Sequence, residues 1–317
     1  MNLLVGDIGG THTRLAIAEV GIGGRVRLSP VERLLNAAHA DLTATLRDYL
    51  ARHPRLTRAC LAVAGPTDGK TCRLTNLGWQ IDAADLGAEL NLRMSLVNDF
   101  AAVGWGIGAL SPEHTLTLQT GRSHADASLV VLGAGTGLGV AICAPGGKGK
   151  QHKPMPGEGG HIAFAPTDAE QDTLLAFLRN TLGRVSNERI LSGPGLLALY
   201  RFQCNQHNQT PVLQDPAAIS TAALAHSDTS AEAALHLFAQ IYAQVAGDIA
   251  LIAGAQSGVY LAGGIATQIL PFLQTPSFVH AFISKGRFTP WMQAIPLHIV
   301  LDPDIGLKGA ALAATET

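Results

Sequence analysis

The chain has 317 residues, 47% of them hydrophobic and 15% charged, with a formal net charge of -2. This composition supports large buried cores in about two domains and excludes a disordered chain, while the near-neutral charge argues against nucleic acid or an anionic membrane as the main partner. Cys60, Cys72, Cys143 and Cys204 form no C-x-x-C pair, no basic n-region precedes Asp7, and no run approaches the roughly 18 apolar residues of a membrane helix, so the expectation is a soluble, reduced, cytoplasmic protein without zinc or a disulfide framework.

Residues 3–18 read Leu-Leu-Val-Gly-Asp-Ile-Gly-Gly-Thr-His-Thr-Arg-Leu-Ala-Ile-Ala. An apolar run, a glycine turn and a second apolar run predict a hairpin. Glycines let backbone N–H groups approach an anion closely. Thr11 adds a hydroxyl, and Asp7, placed in the turn, can hold a hydrated Mg²⁺. A metal–phosphate site and a tight hairpin without a ligand both fit this stretch alone. A strand is expected at 25–28, then a helix at 40–53 with Leu42, Leu46, Tyr49 and Leu50 on one face, ended by Pro54. A strand at 59–64, a loop at 75–79, a short helix at 83–90, a strand at 95–97 and a helix at 100–110 complete a mixed-sheet α/β domain. Asn98 and Asp99 stand where that last strand meets its helix. Both are favoured N-caps, and the ends of α/β strands are also where ligands bind.

Residues 111–127 are polar and read as an irregular crossover. The hairpin pattern then returns at 129–142, Leu-Val-Val-Leu-Gly-Ala-Gly-Thr-Gly-Leu-Gly-Val-Ala-Ile. Aligning Gly10-Thr11 with Gly135-Thr136 sets Asp7 opposite Leu132, so only the first copy carries the acid. Neither copy is a dinucleotide fingerprint, because the third glycine position counted from Gly133 is Leu138 and strand follows it. Walker A spacing is absent as well. One glycine hairpin per half implies two similar domains facing a shared phosphate.

A polar loop is expected at 146–160. Within Pro154-Met-Pro-Gly-Glu-Gly-Gly-His161, Glu158 and His161 follow no apolar periodicity; a carboxylate and an imidazole suit a polyol, and a plain solvated loop is the alternative. No second His or Cys lies at metal-ligand spacing. The helix at 169–182 turns Leu174, Leu175, Phe177, Leu178 and Leu182 inward. Glu188 sits in a helix start capped by Ser186, or touches a ligand. Gly193-Pro194-Gly195 breaks the segment 189–202. A long helix at 231–254 carries Asp248. The strand at 259–261 ends at Gly263-Gly264, either a plain turn or backbone against which a flat ring lies. A strand at 297–301 and a last helix from Lys308 follow, the latter packing back on the first domain.

Together these segments resemble the bacterial glucokinase family of the hexokinase/actin-like ATPase superfamily, almost end to end. The resemblance rests on Gly6-Asp-Ile-Gly-Gly-Thr-His-Thr-Arg14, Asn98-Asp-Phe100, Gly133-Ala-Gly-Thr-Gly-Leu-Gly139, Pro156-Gly-Glu-Gly-Gly-His161, Glu188-Arg-Ile-Leu-Ser-Gly-Pro-Gly195 and Ala262-Gly-Gly-Ile265. It lacks the cysteine-rich zinc motif of the ROK branch. The fold implied is α/β: two RNase H-like (actin-like ATPase) domains with a cleft between them, residues 1–110 plus 301–317 forming the smaller and 111–300 the larger.

By the same resemblance Asp99 is the catalytic base, and Asn98, Asp99, Glu158, His161 and Glu188 bind the sugar. Gly6, Asp7, Ile8, Gly9, Gly10 and Thr11 form the first phosphate site, with Asp7 the metal contact, to Mg²⁺ through water. Gly135, Thr136 and Gly137 form the second phosphate site, and Gly263 and Gly264 the adenosine wall. The implied activity is phosphorylation of D-glucose by ATP in a homodimer. Alternatives are a kinase for another hexose or an amino sugar, a sugar-sensing repressor, which would need an added helix-turn-helix, and a polymerising actin-like ATPase, for which Glu158 and His161 have no purpose.

Overall fold

Each of two sheets in the computed structural model begins from one of the glycine hairpins. Residues 1–53, 55–74, 78–147 and 150–316 are described. The chain divides into two units: Met1–Pro112, Gly149–Pro156 and Asp302–Thr317 make the first, and Glu113–Lys148 and Gly157–Leu301 the second.

In the first unit, β1 (Asn2–Ile8) and β2 (His12–Val20) form the hairpin, followed by β3 (Val26–Leu28), β4 (Glu32–Leu35) and β5 (Arg58–Val63). A separate two-stranded ribbon joins β6 (Thr71–Leu74) to β7 (Trp79–Asp82), and β8 (Arg93–Asn98) completes the sheet in the order β3-β2-β1-β5-β8, with β4 also on β2. β1 is apolar throughout because both its faces are covered. Leu4 and Ile8 pack with Leu46 and Tyr49 of the helix Leu42–Ala51. Leu3 and Val5 pack with Leu307, Ala310 and Ala311 of the C-terminal helix Ile305–Ala313. That helix therefore completes the first unit, and it starts at Ile305 rather than Lys308. It crosses the helix Asp99–Gly106 so closely that a Cβ on Gly309 would lie 1.6 Å from the Ala102 carbonyl oxygen.

Some expectations in this unit change. Asp7 is a strand residue facing Arg14 across the ladder, not a turn residue. Trp79 begins a strand, while the rest of the expected loop at 75–77 lies outside the described residues, as does Pro54. β4 has only four residues alternating in and out, too few to stand out in the sequence.

The second sheet, most of whose strands lie in the second unit, is made of β9 (Thr115–Gln119), β10 (Leu129–Ala134), β11 (Leu138–Ala144), β12 (Lys153–Gly157), β13 (Gly258–Ala262) and β14 (Leu297–Val300), in the order β12-β11-β10-β13-β14-β9. Its plan repeats the first: an antiparallel hairpin extended by two parallel strands. The supposed crossover at 111–127 contains β9, an edge strand antiparallel to β14. The supposed loop at 146–160 contains β12. Gly193-Pro194-Gly195 opens the helix Gly193–Gln206 instead of breaking one. Ser192 caps it, Pro194 sits in the first turn where no N–H partner is lost, and a Cβ on Gly195 would be 2.2 Å from the Ile190 carbonyl oxygen. Leu182, expected inward, is exposed at the end of its helix. The helix Pro216–Leu224 had no counterpart in the sequence reading. The helix Thr229–Ala253 is long and apolar enough to cross a membrane, but most of it is buried in this unit's core.

Candidate active site

In the first unit the predicted residues lie in the turn between β1 and β2 and at the junction after β8. Gly6 and Ile8 are buried within β1, and a Cβ on Gly6 would lie 2.7 Å from Leu61 Cδ2, so both serve packing. Gly10 and Thr11 are exposed at the turn. The Gly9 N–H donates to the His12 carbonyl at 3.1 Å. Buried Asn36, which nothing in the sequence pattern singled out, braces this turn: its Nδ2 donates to the Gly9 carbonyl at 2.9 Å, its Oδ1 accepts from Thr13 Oγ1 at 2.8 Å, and its N–H donates to the Thr11 carbonyl at 3.0 Å.

Asp7 lies one strand residue before the turn, its side chain about one-third exposed, with Oδ2 3.7 Å from Arg14 Nη1. Burial pushes its carboxyl above the ordinary value, and the Arg14 charge opposes that rise. Arg14 also donates to the Pro303 carbonyl at 2.9 Å and pairs with Asp304, so the C-terminal segment fixes the guanidinium. Arg14 was present in the recognised motif, but its partners are remote in sequence.

At the end of β8 the capping question resolves. Asn98 is the N-cap: its Oδ1 accepts from the Ala101 N–H at 3.0 Å, and its Nδ2 donates to the Gly65 carbonyl at 3.2 Å. Asp99 is the first residue of the helix, and its Oδ1 accepts from the Phe100 N–H at 2.8 Å.

The second unit gathers its predicted residues around the turn of β10 and β11. Ala134 pairs with Leu138, leaving Gly135, Thr136 and Gly137 as the loop. A Cβ on Gly135 would meet nothing within 4 Å, so its face is open. The Gly193 N–H holds the turn from behind, donating to the Gly135 carbonyl at 2.8 Å. β13 runs parallel beside β10, which sets Gly263 against this turn; with φ of +89° and a Cβ position 2.7 Å from the Ala134 carbonyl oxygen, only glycine fits. Gly264, next to it, is open.

Glu158, His161 and Glu188 come together beside the same turn. His161 Nε2 is 4.0 Å from Glu158 Oε2 and 3.9 Å from Glu188 Oε1. The short turn Gly159–His161 lies flat on β11, where a Cβ on Gly160 would be 2.1 Å from the Leu138 carbonyl oxygen. Arg184 Nη2 donates to the His161 carbonyl at 2.8 Å. Glu188 lies in the turn Asn187–Arg189, which Ser186 precedes without making the expected side-chain cap. Two carboxylates and an imidazole, all at least partly exposed, form a set of acceptors and a switchable donor suited to neighbouring hydroxyls.

Among the described residues no group of three or more His, Cys, Asp or Glu could hold a metal. A single carboxylate such as Asp7 suits a hydrated cation held chiefly by a ligand's oxygens and does not suit zinc, which takes a full protein ligand set.

The glucokinase family model matches residues 4–317. The chain belongs to the glucokinase family. Its relatives include the glucokinase of Trichormus variabilis, 38% identical over 340 residues with 98% of each chain covered, and that of Photorhabdus laumondii, 40% identical over 314 residues covering 98% of this chain and 96% of the relative. Among solved structures, glucokinase from an Antarctic psychrotroph superposes with a TM-score of 0.89 at 30% identity, covering 100% of this chain and 99% of the other. The glucokinase fold is thus shared over the whole chain, and it is the actin-like ATPase/hexokinase fold. A glucokinase from Balamuthia mandrillaris, solved with glucose, shares that fold at a TM-score of 0.81 and 24% identity.

Proposed function

We propose that this glucokinase-family protein transfers the γ-phosphoryl group of ATP to the 6-hydroxyl of D-glucose, giving glucose 6-phosphate and ADP. The observation that carries the reading is the cluster of Glu158, His161 and Glu188 against the Gly135–Gly137 turn. Sugar-hydroxyl ligands and a candidate phosphate turn belong to one constellation, as a sugar kinase requires and as a polymerising ATPase does not.

In this reading Asn98, Glu158, His161 and Glu188 fix the sugar hydroxyls. Asp99 accepts the 6-hydroxyl proton as that oxygen attacks the γ-phosphorus and the bond to the β-phosphate oxygen breaks. Asp99 is the first residue of the helix that Asn98 caps. Gly10 and Thr11 in the first unit, and Gly135, Thr136 and Gly137 in the second, receive the phosphates, and Gly263 and Gly264 form the adenosine wall. Mg²⁺, held by Asp7 through water, would supply charge neutralisation on the phosphate oxygens. Arg14 keeps the Asp7 carboxylate oriented. We also assign the protein to the cytoplasm as a homodimer.

The test is a coupled assay over a panel of hexoses and amino sugars, with Glu158→Gln beside the wild type. Glucose is expected as the best acceptor with ATP as donor. The variant should raise KM for glucose sharply, because a site built for hydroxyls discriminates strongly once a partner is lost. An unchanged KM would remove Glu158 from the sugar site.

A further inference from the structure

Glu188 is held at both ends. Its main-chain carbonyl accepts from Ser192 Oγ at 2.7 Å. Its Oε2 accepts from the Leu138 N–H at 3.0 Å, while Oε1 faces His161 Nε2 at 3.9 Å. One carboxylate oxygen is therefore tied to protein backbone and the other is left for a ligand. The backbone amide that ties it belongs to the first residue after the Gly135–Gly137 turn.

Gly137 has no conformational reason to be glycine, since its φ is not in the left-handed region. Its reason is the carboxylate: a Cβ there would lie 2.5 Å from Glu188 Oε2 and 3.2 Å from Cδ, and the three atoms nearest to it all belong to Glu188. The obstructed atoms are the far end of a flexible side chain, so the fold can accept Gly137→Ala by letting Glu188 swing away. The Ser192 bond to the Glu188 main chain does not depend on residue 137.

We propose that Gly137 and the Leu138 amide are positioning residues for sugar recognition, acting through Glu188. This rests on the reading of Glu188 as a sugar ligand. A residue inside the candidate phosphate turn then sets the affinity for the sugar. The charged hydrogen bond from Leu138 fixes which oxygen, in which direction, the sugar meets.

Glucose binding is measured by calorimetry without nucleotide for the wild type, Gly137→Ala, Glu188→Ala and the double variant. Gly137→Ala should weaken glucose binding about tenfold or more, the scale of one well-placed hydrogen bond to a charged group. Glu188→Ala should weaken it at least as much. On the Glu188→Ala background the second substitution should change binding less than about twofold, the non-additivity expected of coupled neighbours. Glucose binding unchanged in Gly137→Ala but lost in Glu188→Ala overturns the positioning role and leaves the sugar site standing. Equal losses from Gly137→Ala in both backgrounds overturn it too. Wild-type binding by Glu188→Ala removes Glu188 from the sugar site and the proposal with it. Should Gly137→Ala not fold, amide exchange decides: Leu138 should lose protection in Glu188→Ala, and unchanged protection contradicts the proposal.

Discussion

Asp7, the proposed Mg²⁺ contact, sits where its charge works against the stability of the fold. Burial raises its carboxyl pKa, so the folded chain holds that proton more tightly than the unfolded chain. Its contribution to stability is full below the unfolded value of about 3.9 and is lost as pH rises through the higher folded value. Asp7→Asn is therefore expected to melt above the wild type at pH 7, with the gap closing toward pH 4, while nucleotide binding in Mg²⁺ weakens. Thermal melts from pH 4 to 8 without ligand check this, and a lower melting temperature at pH 7 would refute it. Asp302 depends on its paired cation. Its side chain is 4% exposed and pairs with Lys308 Nζ at 2.6 Å. Lys308→Ala leaves that buried carboxylate without its cation and should destabilise by about 3–5 kcal/mol in urea unfolding. A loss below about 1 kcal/mol would mean that the Asp304 N–H, which also donates to Asp302, suffices.

At the level of elements, the C-terminal helix shows how a short distant segment becomes part of the first unit. Gly309→Val places a side chain where the Ala102 carbonyl already stands. The loss should exceed the roughly 3 kcal/mol that bounds most single substitutions. Gly306→Ala in the same helix meets nothing within 4 Å and should be neutral or slightly stabilising. Equal denaturation midpoints for the two variants would contradict this packing. The hairpins, the long helix and the clustered motifs were legible because each has a local signature: glycine between apolar runs, or apolar spacing over many turns. β9 and β12 were not, because Thr115-Leu-Thr-Leu-Gln119 and the proline-rich Lys153–Gly157 are short edge segments whose partners lie elsewhere in the chain. Of the candidate site residues, Glu158 and His161 stood out as polar groups without periodicity, whereas Asp99 and Glu188 fit helix starts locally and were singled out by the resemblance. Asn36 and Arg184 did not, since their work is to hold carbonyls of residues far away in sequence.

For the molecule as a whole, the repeated sheet plan accounts for one chain carrying two glycine hairpins, one in each sheet. The proposed sugar ligands are Asn98, Asp99, Glu158, His161 and Glu188. Glucose at 100 times its Kd should therefore stabilise the protein by about 2.7 kcal/mol, and either Asn98→Ala or Glu158→Ala should sharply reduce that shift at the same glucose concentration. Loss confined to one of the two would remove the other residue from the proposed sugar site. The sharpest test compares Asp99→Asn with the wild type in steady-state glucose phosphorylation, with glucose binding followed by calorimetry. Asparagine keeps the size and hydrogen bonding of the side chain but cannot take a proton. The expected result is a fall in kcat of about 10²–10⁴-fold, the usual contribution of a positioned base, with glucose binding weakened far less. A near-normal kcat in that variant would contradict the assignment of Asp99 as the base.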